Sequence, residues 1–101
     1  MSVIEDIKSE YLFFDHASGD QYHVYINKKF HQLLERNDVC LIKGSDKKIL
    51  LEGEPLLYFE TTKTVYELEA PCDLSIVTRY ELDVESLDTT TRLLTVSKEK
   101  L

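Results

Sequence analysis

Apolar and polar positions alternate with period two over most of this chain. From residue 11, "YLFFDH" and "QYHVYIN" read as two strands, and "ASGD" between them supplies Gly19 for a tight turn with positive φ. Along the second strand Tyr22, Val24 and Ile26 face one way and His23, Tyr25 and Asn27 the other. The alternation breaks at "KKFHQLLER", where Phe30, Leu33 and Leu34 fall at helical spacing behind Asn27 as a cap, which predicts one or two helical turns. A second short helix is expected at the start of the chain. There Ser2 and Glu5 have capping-box spacing and Ile4, Ile7 and Tyr11 share a face.

Strand signals then return. "DVCLIKG" and "KILLEG" predict a hairpin around Ser45–Lys47, with Cys40 inside an apolar run and so expected in the core. "PLLYFE" and "VYELE" predict another hairpin, its tip at Thr62, Lys63, Thr64 and Val65. Ala70-Pro71-Cys72-Asp73 fits a type I turn with proline at its second position. "LSIVTRYELDVE" has the clearest alternation. Leu74, Ile76, Thr78, Tyr80 and Leu82 line one face, and Ser75, Val77, Arg79, Glu81 and Asp83 the other. Residues 89–101, "TTTRLLTVSKEKL", mix both kinds of residue on each face and read as an edge strand or a loosely attached arm.

These elements add up to an all-β fold, a small antiparallel β-barrel or sandwich with one or two short helices. At 101 residues, without linker, repeat or low-complexity segment, the chain is expected to be a single domain, 1–101.

Residues 50–83 resemble the second half of a cupin, or jelly-roll-like, barrel. The likeness lies in Leu51 and Gly53, the strand "PLLYF", the hairpin, "YELEAP" and "LSIVTRYEL". The resemblance implies a small two-sheet barrel. The metal-binding residues of that family have no counterpart: Val65 or Tyr66 stands near the hairpin histidine's place, and His23 is followed by Val24 and Tyr25 where the family has H-x-H.

Charge and cysteine usage narrow the partners. Nineteen acids against twelve Lys plus Arg give a net charge of −7, which opposes nucleic-acid backbones and anionic lipid. No apolar run reaches the roughly 20 residues of a membrane span, and "MSVIEDIKSE" lacks the apolar region of a signal peptide. Cys40 and Cys72, the two cysteines of the chain, form no C-x-x-C pattern and are expected as reduced thiols in a cytoplasmic protein, or one carried in a virion.

Candidate chemistry is sparse. His16, His23 and His31 are the imidazoles, and Glu35 follows His31 by one helical turn, so His23, His31 and Glu35 are the metal-ligand candidates. That spacing is a weak signal, and the reading expects no metal and no cofactor. No serine or cysteine sits in an activating context, Gly19, Gly44 and Gly53 stand alone, and Glu52 and Glu54 flank an ordinary turn, so no catalytic residue is assigned. Strand alternation would instead set Arg79, Glu81, Asp83 and Glu85 in one outward row, about 6.5–7 Å between successive members. Leu93 and Leu94 would offer apolar contact from the C-terminal segment, and tyrosines are enriched at interfaces. The expected function is a non-catalytic protein-interaction or assembly module, joining another protein or itself, as viral decoration proteins and small regulatory proteins do. One alternative is a cupin-like small-molecule binder or enzyme, with Thr78 and Tyr80 orienting a ligand in the barrel mouth. The other is an acidic decoy.

Overall fold

The computed structural model describes residues 7–99. Among them the chain forms β1 (Leu12–Ser18), β2 (Gln21–Ile26), α1 (Lys28–Glu35), β3 (Val39–Gly44), β4 (Ile49–Leu50), β5 (Pro55–Thr61), β6 (Val65–Glu69), β7 (Leu74–Arg79) and β8 (Leu94–Lys98), with a 3-10 turn at Val84–Ser86. The protein is therefore mostly β. A five-stranded sheet has the order β1-β2-β8-β7-β4 and a three-stranded sheet the order β3-β5-β6, all neighbours antiparallel. Among the described residues no strand of one sheet pairs with the other, so two open sheets stand where a closed barrel was one expectation.

One apolar core joins the two layers. Leu12, Phe14, Tyr22, Val24, Ile26, Leu50, Leu74, Ile76, Leu94 and Val96 come from the five-stranded sheet, and Leu56, Leu57, Phe59 and Leu68 from the three-stranded one. Helix α1 carries the chain from the first sheet to the second. Asn27 caps it as its sequence predicts, its side chain accepting from Phe30 N at 2.9 Å. Phe30 and Leu34, four apart, turn to the core. The Phe30 ring is wholly buried, with ring centroids 4.8 Å from Tyr11, 5.0 Å from Phe59 and 5.2 Å from Tyr66.

The hairpins β1–β2 and β5–β6 form at their expected tips, with Gly19 at φ 54°. Other expectations are corrected. β3 and β4 do not make a hairpin: β3 pairs with β5, and β4 with β7. No residue between them has positive φ, which the common tight hairpin turns require, so the chain crosses from one sheet to the other instead of reversing within one. Cys40 is exposed because β3 is an edge strand whose register slips between Val39 and Leu41, taking the apolar run out of step with the core. The strand "LSIVTRYELDVE" stops at Arg79, after a bulge between Ile76 and Thr78, and its later residues belong to the connection to β8.

The largest correction concerns the C-terminal segment. β8 lies between β2 and β7, so it is neither an edge strand nor an arm. Leu93, Leu94, Thr95 and Val96 are all buried. The proposed N-terminal helix falls on residues 1–6, outside the described residues, and on Ile7–Glu10, which are not helical.

Candidate functional site

The outer face of the five-stranded sheet gathers the polar and aromatic residues that the core rejects. Alternation along β2 turns His23 and Tyr25 away from Tyr22, Val24 and Ile26. Register then fixes their neighbours: Phe13 opposite Tyr25 and Asp15 opposite His23 on β1, Thr95 opposite His23 on β8, and Thr78 opposite Thr95 on β7. One row across the face thus reads Asp15, His23, Thr95, Thr78. A second row is aromatic and cationic. Phe13 and Tyr25 rings lie 6.3 Å apart, Arg92 Nε donates to Tyr25 Oη at 3.4 Å, and the guanidinium carbon of Arg92 sits 5.9 Å from the Tyr80 ring centre.

Thr95 ties the two rows together. Its Oγ1 lies 3.0 Å from His23 Nδ1 and 2.9 Å from Tyr80 Oη, which satisfies a hydroxyl that is almost wholly buried. The hydrogen bond to Thr95, then that to Arg92, holds the Tyr80 phenol below its ordinary pKa. Tyr25 and then Tyr80 hold the Arg92 guanidinium above its own. Arg92 has five N–H donors, more than two phenol oxygens can satisfy. Among the described residues no carboxylate pairs with it, in a chain with nineteen acids. Phe13 is 53% exposed and Val77 of β7 is 46% exposed, so apolar surface flanks the polar rows.

The residues singled out in the sequence lie elsewhere or serve other ends. His31 Nδ1 is 3.2 Å from Glu35 Oε1, so the helical pair forms, but His23 belongs to the face described above. Among the described residues no group of three His, Cys, Asp or Glu is placed to hold a metal ion. His16 Nε2 meets Gly19 O at 2.7 Å within the β1–β2 turn. Arg79, Glu81, Asp83 and Glu85 do not form a strand row. Arg79 donates to Ser45 O and Lys47 O, bridging β7 to the β3–β4 crossing, while Asp83 accepts from Glu85 N at the 3-10 turn. Leu93 and Leu94 are 1% and 3% exposed and offer no contact surface. Glu54 takes hydrogen bonds from Lys47 and from Leu51 N, which lower its pKa in that order of size.

At one mouth between the sheets, Ile42, Gly44, Leu57, Arg79, Tyr80, Leu82, Leu93 and Leu94 line a cleft of about 150 Å³. Ligand pockets run from roughly 300 to 1,000 Å³. Thr78 is exposed on the outer face and does not line this mouth, so of the pair expected from alternation only Tyr80 reaches it.

Phe13, Arg92 and Thr95 were not singled out in the sequence. Thr95 meets His23 across 72 positions, and no local pattern marks such a pair. The one available signal was that His23 and Tyr25 face away from the apolar positions of their strand. No protein-family model, no curated protein and no solved structure matches the chain.

Proposed function

We propose that this chain is a non-catalytic protein-interaction module and that it meets its partner through the outer face of the five-stranded sheet. The observation that carries the reading is the row Phe13, Tyr25, Arg92, Tyr80. Aromatic residues and arginine dominate the energetics of protein interfaces, because each buries a large, stiff surface while keeping a polar group to orient the partner. Fixing Arg92 between two tyrosines in advance lowers the entropy lost when it is engaged. Thr95 bonds to both His23 and Tyr80, which orients those two side chains before contact.

The test is affinity capture with paired surface variants, each first checked for a wild-type circular dichroism spectrum. Phe13→Lys and Arg92→Glu alter this face. Leu41→Lys and Glu67→Lys alter the outer face of the three-stranded sheet. The reading predicts a partner, self or foreign, that is retained by the second pair and lost by the first. Equal retention by both pairs, or loss only in the second, overturns it.

A further inference from the structure

We infer that the occupant of this face is a second copy of the same chain, held by Asp15 of each copy on Arg92 of the other. The inference rests on the interaction-module reading and deepens it. The face carries one carboxylate and one guanidinium that no ion pair accounts for. Among the described residues the Asp15 side chain has no hydrogen-bond or ion-pair partner, and Arg92 has only tyrosines. They stand on opposite flanks of β2: Asp15 beside His23 on edge strand β1, Arg92 beyond Tyr25 against Tyr80. His23 and Tyr25 therefore lie between them and keep them from pairing within one chain.

Symmetry turns that separation into complementarity. A two-fold axis lying in the plane of the face exchanges any two points placed evenly about it. Run along the bisector of the Asp15–Arg92 line, it sets each carboxylate opposite the other copy's guanidinium and forms two identical ion pairs. The same axis passes between His23 and Tyr25, so the half-buried aromatic centre of one copy meets that of the other. Exposed Phe13 then flanks it. An apolar and aromatic centre with charges towards the rim is the ordinary anatomy of a specific interface. The arginine fork matches a carboxylate with two parallel hydrogen bonds, which fixes the register of the two faces.

Each copy carries a net charge of −7, so mutual repulsion opposes the pairing at low ionic strength. At about 0.15 M salt the Debye length is about 8 Å and contact pairs outweigh that distant field. Sedimentation equilibrium at this ionic strength, from micromolar to near-millimolar chain, is the experiment. Wild type should approach twice the chain mass. Asp15→Arg places arginine against arginine, and Arg92→Asp places carboxylate against carboxylate. Each should weaken self-association at least about tenfold. An equimolar mixture of the two variants is complementary at both pairs and should associate as wild type does. Should Arg92→Asp fail to fold, Asp15→Arg alone carries the test, since its side chain is exposed on an edge strand.

A wild type that stays monomeric throughout, variants that dimerise as well as wild type, or a mixture no better than its components each overturn the inference. The interaction-module reading fails separately, in the capture experiment. A monomeric wild type whose partner is still lost with Phe13→Lys and Arg92→Glu has a foreign partner at the same face.

Discussion

Ending the chain at Asp88 deletes β8 from the middle of the five-stranded sheet and leaves β2 and β7 without a common neighbour. Leu93, Leu94 and Val96 are 1%, 3% and 0% exposed, and burying side chains of this size contributes about 1.5–3 kcal/mol each, or about 5–9 kcal/mol together. Tyr22, Val24, Leu74 and Ile76, whose register partners lie on or beside β8, would lose part of their cover as well. A domain of this size has about 5–15 kcal/mol of stability in all, so the truncated chain should not fold. A graded version is Leu94→Ala, which should cost about 2–5 kcal/mol through lost transfer energy and the cavity left behind. Urea unfolding followed by far-UV circular dichroism reads both changes. The truncated chain should show no cooperative transition, and Leu94→Ala should move the midpoint down with an unchanged slope. A truncated chain that unfolds cooperatively at the wild-type midpoint would refute the placement of β8. So would a Leu94→Ala midpoint that does not move.

Three further outcomes follow from the packing. Phe30→Ala should destabilise by about 3–5 kcal/mol, since it empties the space that Tyr11, Phe59 and Tyr66 enclose; a change under about 1 kcal/mol in urea unfolding would mean that α1 is not packed there. Ile76→Asp puts an unpaired charge in the core and should cost several kcal/mol, while Ser75→Asp on the other face should change the urea midpoint little; equal effects would reverse the faces of β7. Cys40 is exposed, whereas burial pushes the half-buried Cys72 thiol up, so a thiol reagent at neutral pH should label Cys40 first, with Cys72 gaining as pH rises; faster labelling of Cys72 would contradict this.

What the sequence disclosed is what short-range physics decides. The β1–β2 turn needs positive φ and Gly19 supplies it; α1 needs a cap and Asn27 supplies one. Both were legible because cause and effect lie within a few residues. The partner of β4 was not, since Ile49–Leu50 is too short to show a pattern and pairs with β7, a strand more than twenty positions away. The row from Arg79 to Glu85 failed for a different reason. The ladder slips at a bulge between Ile76 and Thr78 and β7 ends at Arg79, so Glu81, Asp83 and Glu85 lie in the connection to β8, and nothing in the alternation of "IVTRYELDVE" announces that end. The mixed faces of residues 89–101 suggested exposure, yet a central strand whose outer face carries Thr95 and Ser97 looks mixed as well. The site was hidden for the same reason as β8. Its members come from β1, β2, β8 and the connection around Tyr80, and only the strand order brings them together.

The inferred contact with a second copy is tested most directly by amide chemical shifts measured over a concentration series at about 0.15 M salt, which report where on the chain that contact falls. Shifts should grow with concentration at Phe13, Asp15, His23, Tyr25, Arg92 and Thr95, and Leu41, Tyr58 and Glu67 on the other sheet's outer face should stay still. Shifts that map to Leu41, Tyr58 and Glu67 instead, or a spectrum unchanged across the series, would contradict it.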